Sequence, residues 1–265
     1  MPLSKPMPVP VDIKLMNTLS GALGLTFAAM LLGLAGSWLM RQPLFNLTAI
    51  HVIGDVAHNN AVTLRANVAP RLAGNFFTVD LSRTRAAFEA VPWVRSARVQ
   101  REFPNRLRVQ LQEHQAMAYW GTEGDARLVN SFGEVFEANP GDVEAESLPL
   151  LSGPEGQAAL VLQLHQVLAP MFDEFDTVLE QLHLTSQGSW RARLDNGAVI
   201  EIGHGSVAEV QARVRRFLDT LTQASAKYGR DLESADLRYS NGYAIKLRGV
   251  TTLVAGEKED GQKKR

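Results

Sequence analysis

The sequence predicts an α+β protein with one N-terminal transmembrane helix, a small strand–helix–helix–strand–strand unit, and a strand-rich unit carrying two or more helices. Three observations predict it. Residues 15–40 contain no Asp, Glu, Lys, Arg or His. Residues 45–114 pass from strand to helical periodicity and back again. Residues 115–254 set short apolar strands between turn residues and two helical stripes.

The run LMNTLSGALGLTFAAMLLGLAGSWLM is 26 residues long, more than the roughly 20 needed to cross about 30 Å of hydrocarbon. A core helix seldom stays uncharged for this length, and the apolar region of a cleaved signal usually runs to about 7–15 residues. Leu34-Ala35-Gly36-Ser37 has the small residues of a cleavage site, but the length favours a retained anchor. Trp38 suits the aromatic belt at a membrane interface. Lys5 and Lys14 precede the span, and after Arg41 the next Lys or Arg is Arg65. The positive-inside bias therefore places residues 1–14 in the cytoplasm as a short tail, with the bulk outside.

The first external unit runs over 45–114. FNLTAIHVIG reads as a strand ended by Gly54. Asn59 or Asn60 can cap a helix reaching about Leu72, with Pro70 disturbing its end. Asp80 is a candidate N-cap for a second helix over 81–90, where Leu81 and Phe88 share a face. VPWVRSARVQREFPNRLRVQLQEH then alternates as a two-stranded ribbon. Ala97, Val99 and Phe103 form one apolar row and Leu107, Val109 and Leu111 another, with a type I or II turn expected at Phe103-Pro104-Asn105-Arg106.

The second unit covers 115–254. AMAYW, ARLVN and EVFEA are short strands. A helix is expected from Pro154 to Phe172, with Leu160, Leu164, Val167 and Leu168 on one stripe. WRARLDNGAVIEI reads as a hairpin about Asp195-Asn196-Gly197. Ser206 and Glu209 make a capping box for a helix whose stripe is Val207, Val210, Val214, Phe217, Leu218 and Leu221. ADLRYSNGYAIKLRG reads as two strands joined at Asn241-Gly242, with Gly242 supplying a positive φ. The final residues, 255–265, are polar and charged and are expected to be disordered.

Several chemistries are disfavoured. A net charge of −1 lacks the broad footprint of a nucleic-acid binder, and the absence of cysteine removes disulfides, thiol catalysis and Cys-ligated metal. Gly203-His204-Gly205-Ser206-Val207-Ala208 matches a dinucleotide fingerprint, but its preceding strand is the return arm of a hairpin and contains Glu201, unlike an apolar parallel strand. The six histidines are scattered and none forms a paired-ligand motif. No G-x-S-x-G or H-E-x-x-H occurs. No cofactor, metal or enzymatic activity is expected. Seven arginines between Arg83 and Arg108 face only Glu89 and Glu102; they read equally as a solvated strand face or as a docking surface for an acidic segment or anionic headgroups.

In IHVIG, GNFFTVDL, VPWVRSARVQREFPNRLRVQLQEHQAMAYW, LVNSFGEVF, LPLLSG and DLRYSNGYAIKL, taken in order and spacing, the chain resembles the bacterial cell-division family FtsQ/DivIB. The resemblance implies a single-span inner-membrane protein with a POTRA domain (β-α-α-β-β) and then a β-rich domain, both periplasmic. It implies a non-enzymatic scaffold that binds FtsB and FtsL and links early division proteins to septal peptidoglycan synthesis. It further implies strand addition by FtsB at Tyr243, Ala244, Ile245, Lys246, Leu247 and Arg248, flanked by Arg238, Tyr239, Asn241 and Gly242. Members often carry Trp where Leu247 stands here, a departure at the end of that strand.

Independently of the family, an exposed last strand offers unpaired N–H and C=O groups. Arg238 is a forked cation suited to a carboxylate, and Tyr239 is a stiff amphipathic anchor. Arg98, Arg101, Arg106 and Arg108 form a candidate second interface, for which the resemblance suggests earlier-arriving division proteins such as FtsK. Two other readings compete. A POTRA-type periplasmic chaperone or translocation protein would usually end in a β-barrel, which the helices here disfavour. A periplasmic hydrolase would need a site assembled from distant residues.

Overall fold

The structure, a computed structural model, describes residues 11–54, 56–72, 74–122, 124–125, 127–143, 148–228, 231–239 and 242–249. Residues 1–10 of the expected tail, the expected disordered end over 255–265, and Asn241 lie outside the described residues. Helix α1, Val11–Met40, carries the uncharged run and starts four residues before it, with Asp12 in its first turn, where the helix dipole favours an anion. At 30 residues it is about 45 Å long, and none of its side chains is buried by the rest of the chain.

The compact units divide between Glu113 and His114. In the first, β1 (Ala49–Gly54), α2 (Ala61–Val68), α3 (Leu81–Glu89), β2 (Val94–Glu102) and β3 (Arg106–Glu113) follow in that order, the expected strand–helix–helix–strand–strand arrangement. The sheet order is β1-β3-β2, with β1 parallel to β3 and β2 antiparallel to it. α2 gives way to a 3-10 turn at Ala69–Arg71, as Pro70 demands. The Asp80 carboxylate caps α3 by accepting from the N–H groups of Ser82 and Arg83 at 2.9 and 3.1 Å. Those two bonds, Arg83's first, hold its carboxyl below the usual aspartate range.

β3 alternates strictly. Leu107, Val109, Leu111 and Glu113 point inward, while Arg106, Arg108, Gln110 and Gln112 point outward. Val109 and Leu111 of that row cluster with Leu64, Val68, Ala87 and Phe88 of the helix layer and with Val91. Phe103 departs from the expected apolar row. It lies beyond the last register pair, Glu102 with Arg106, and is 74% exposed. The turn also differs from type I or II, because its Phe103–Pro104 peptide is cis.

Glu113 ends the inward row, and four donors explain how a carboxylate sits there. The N–H groups of His58 and Asn59 donate to it at 3.0 and 3.1 Å, the Asn59 amide donates at 2.9 Å, and His58 Nδ1 lies 3.2 Å away. His58 is in turn stacked on Trp93 at 3.9 Å. Burial pushes the Glu113 pKa up, but the bonds from His58 and Asn59 outweigh it and the net direction is down. A depressed carboxylate stabilises the fold above its unfolded pKa, about 4.3, and that stability is lost as pH falls through the folded value. Thermal unfolding of the chain between pH 7 and pH 3 should therefore drop less steeply in Glu113→Gln than in the parent; equal slopes would show the carboxylate is not responsible.

Among the described residues the second unit holds one nine-stranded sheet in the order β12-β11-β10-β9-β8-β7-β4-β5-β6. Its strands are β4 (Ala116–Trp120), β5 (Arg127–Asn130), β6 (Val135–Glu137), β7 (Leu150–Ser152), β8 (Leu179–Leu184), β9 (Ser189–Leu194), β10 (Val199–His204), β11 (Leu232–Asp236) and β12 (Ala244–Leu247). α4 (Ala158–Asp173) links the parallel pair β7 and β8, and α5 (Val207–Tyr228) links the parallel pair β10 and β11. A helix is the usual connection for a parallel crossover. α4 packs on β7 and β8, α5 packs on β10, and the two helices touch each other.

The capping box of α5 forms, with Ser206 N–H donating to Glu209 Oε2 at 2.8 Å. Val210, Val214, Phe217 and Leu218 of its stripe are buried. In α4 the buried line is Val161, Leu164, Leu168 and Met171, so Leu160 and Val167 sit at its margin. Gly203, the first residue of the fingerprint-like run, opens no phosphate-binding loop. It lies within β10 at a bulge, with φ +88°, and a Cβ there would stand 3.0 Å from Arg238 Cγ.

Candidate partner-binding edge

Among the described residues β12 is the terminal strand of the large sheet and pairs only with β11. Its register sets Asp236 against Ala244 and Ala235 against Ile245, so seven positions of sequence separate the last pair, where a two-residue turn was expected at Asn241-Gly242. Gly242 accordingly has no positive φ, and nothing lies within 4 Å of a Cβ built on it. β11 ends early because Leu237 is drawn inward. Its N–H donates to Glu201 O at 2.8 Å, and its side chain is buried in the core.

The residues around the edge divide by role. Leu247 is buried and Ile245 half-buried against the core. Tyr243 packs edge-on against Phe217 at 5.2 Å, and its hydroxyl donates to Thr220 Oγ1, which ties the start of β12 to α5. Lys246 pairs with Glu233, and Arg248 donates to the carbonyl of Asn196. Tyr239 is the large aromatic left outside, at 62% exposure. A cleft of about 350 Å³ lies between α5 and the residues flanking β12, with Arg216, Phe217, Thr220, Leu237, Tyr239 and Tyr243 on its walls.

Arg238 is not waiting with an empty fork. Its Nε and Nη2 donate to the two oxygens of Asp236 at 2.9 and 2.6 Å, and its N–H donates to the same carboxylate at 3.0 Å. The Arg238 hydrogen bond draws the Asp236 pKa down, and the same pair raises that of Arg238. An incoming carboxylate would share this guanidinium with Asp236.

The α5 wall was missed in the sequence. Arg213, Arg216 and Thr220 stand at i, i+3 and i+7, one face flanking the apolar stripe. Their spacing was legible, but nothing in it shows that the C-terminal loop lies opposite. Arg213 itself is occupied, donating to the carbonyls of Ile202 and His204 at 2.8 and 2.9 Å.

In the second candidate cluster Arg98, Arg106 and Arg108 share the outward face of the β2–β3 ribbon, and Arg101 lies on the other. Arg101 clamps the 76–79 loop through its Nε to Phe76 O at 2.7 Å and its Nη2 to Val79 O at 2.7 Å. Arg108 pairs with Glu102. Arg98 and Arg106 remain exposed. Elsewhere, Ser152 Oγ lies 2.8 Å from His183 Nδ1, but the two face each other across the paired strands β7 and β8. Among the described hydrogen bonds no carboxylate orients that imidazole, as an activated serine would require.

One apolar 30-residue helix, a β-α-α-β-β unit and a mixed sheet with an open end define a class: single-pass membrane proteins carrying a POTRA-type domain and a β-rich domain. The model of the POTRA domain, FtsQ-type, matches residues 45–114, and that of cell division protein FtsQ/DivIB, C-terminal, matches residues 118–238. The cell division protein FtsQ of Thiomonas arsenitoxydans is 41% identical over 247 residues, covering 92% of this chain and 91% of the relative. That of Burkholderia pseudomallei is 39% identical over 251 residues, covering 93% and 98%, and that of Bordetella pertussis 34% over 254 residues, covering 89% and 92%. The chain belongs to the FtsQ/DivIB family of bacterial cell-division proteins. The C-terminal match ends at residue 238, so β12 lies beyond it.

Proposed function

We propose that the chain is a non-enzymatic divisome scaffold that binds FtsB, and FtsL with it, through the β12 edge and so links early division proteins to septal peptidoglycan synthesis. In this reading residues 1–14 face the cytoplasm, both units stand in the periplasm, and the protein gathers at the division septum. The supporting observation is the terminal position of β12, beside an exposed tyrosine and a cleft. An extended partner segment would satisfy the backbone groups of that edge, while Tyr239 and the α5 wall select its side chains. On the POTRA unit, Arg98 remains as a contact for an earlier-arriving partner such as FtsK.

Co-purification of FtsB with the full chain tests the site. Arg238→Glu would set two carboxylates together at residues 236 and 238 and repel an acidic partner, and capture should fall at least tenfold. Because the Arg238 side chain is 58% exposed, its surface pair contributes little to stability, and the melting temperature should stay nearly constant. Normal capture by Arg238→Glu would remove this residue from the site. A fluorescent fusion of the full chain in dividing cells should form a midcell band; uniform envelope signal would count against the scaffold itself.

A further inference from the structure

Four phenylalanine rings form a continuous line of contacts at one end of the POTRA unit. Phe45 meets Phe77 at 4.8 Å, Phe77 meets Phe76 at 5.2 Å, and Phe76 meets Phe103 at 6.1 Å. Such rings ordinarily cluster inside a domain, yet Phe103 is 74% exposed, Phe77 41%, and neighbouring Leu44 71%. None of the three belongs to the unit's core. An apolar surface of this kind in water marks an interaction site.

Its place in the fold says what covers it. α1 ends at Met40, and Phe45 closes the 3-10 turn that follows, Pro43–Phe45. The Asn75 amide donates to Met40 O, and Phe76 N–H donates to Phe45 O at 2.8 Å. Thr48 N–H donates to Asn105 O at 3.0 Å, and the parallel register sets Ala49 opposite Arg106. The start of β1 and the β2–β3 turn therefore share the end of the sheet at which the membrane helix arrives. The Arg101 clamp on Phe76 and Val79 holds the ring-bearing loop there. From Met40 to Leu44 the chain spans at most about 14 Å.

We infer that this end of the POTRA unit is seated on the lipid bilayer that α1 crosses, with Leu44, Phe77 and Phe103 entering the headgroup region and Arg41 and Arg106 meeting lipid phosphates. The bilayer is the one partner whose position the chain itself fixes. Interfacial apolar groups settle about 5–10 Å into the headgroup boundary, within reach of the four-residue connection. Arg41 and Arg106 are exposed, and no ion pair engages either among the described residues; guanidinium groups bind phosphate oxygens bidentately. The inference needs α1 to span the membrane, but not the choice of side. Its consequence is a POTRA unit held at a set tilt on the surface rather than swinging on a tether.

The lack of cysteine makes the test direct. Single-cysteine variants Phe103→Cys, Phe77→Cys and Arg98→Cys of the full chain are labelled with a nitroxide and reconstituted into vesicles of phosphatidylethanolamine and phosphatidylglycerol. Collision with oxygen, which concentrates in acyl chains, and with a water-soluble nickel chelate is then measured. Arg98 lies four residues up β2 from Glu102, about 13 Å farther along the strand, and serves as the reference. The ratio of oxygen to nickel collision should be several-fold higher at positions 103 and 77 than at 98. Equal nickel access at all three positions would overturn the proposal. So would a label at 103 hidden from both reagents, which means that protein rather than lipid covers it.

Discussion

Tyr239→Ala is expected to weaken capture of FtsB by roughly 30-fold, the equivalent of about 2 kcal/mol for a hot-spot aromatic, on the strand-addition mode proposed above. The ring is 62% exposed at the mouth of the α5 cleft, so the free protein gains little from burying it. Stability should consequently stay within about 0.5 kcal/mol of the parent. Titrating a labelled FtsB segment against the full chain in detergent measures the first quantity, and a melting curve the second. Tyr239→Phe separates ring from hydroxyl; if the ring is the anchor, most of the affinity survives. Unchanged binding by Tyr239→Ala would show that the partner passes elsewhere.

The largest stability effect is expected at Gly54, in the other unit. Gly54 ends β1 with φ +106°, opposite Leu111, and a Cβ there would overlap the Leu111 carbonyl oxygen. The conformation alone costs a side chain about 1–3 kcal/mol, and the overlap forces β1 from β3, the central strand of its sheet. Gly54→Ala should therefore speed hydrogen exchange at the β3 amides by at least tenfold while leaving β8 and β9 unchanged. Gly242→Ala is the contrast. With neither positive φ nor any neighbour within 4 Å, it should leave stability unaltered. Equal protection of β3 in the Gly54 variant would mean that the strand end relaxes at no cost.

Much of the fold was legible because its signals are local. The uncharged run, the Asp80 cap, the Ser206–Glu209 box and the alternation of β3 each depend on residues within a turn or two of one another. β7 and β8 escaped sequence reading for the opposite reason. β7 has three residues, too few to show a period, and both strands pair in parallel with partners brought together by α4. Phe103 misled because its parity matched the core row while its position lay past the end of pairing. At the candidate edge, Tyr239 and the strand after it could be picked out, since both lie in the DLRYSNGYAIKL run that carries the family resemblance. The Asp236–Arg238 fork and the α5 wall could not, because they depend on β11 ending at Asp236 and on which helix face lies across the cleft. Asn-Gly suggested a tight hairpin, but burial of Leu237 took precedence over local turn preference.

The open sheet has a second terminus, and its dimensions matter for how copies of the protein behave beside one another. β6 is three residues long, and only Phe136 of the three is buried. Pro140, three positions beyond it, has no N–H to give. If both termini were equally receptive, the β12 of one molecule could join the β6 of the next, and repetition of that contact would build a fibre with no closing point. A stub of this length offers too few hydrogen bonds to hold such a joint. Head-to-tail extension of the sheet from one molecule to the next through β6 is therefore blocked, whatever joins β12.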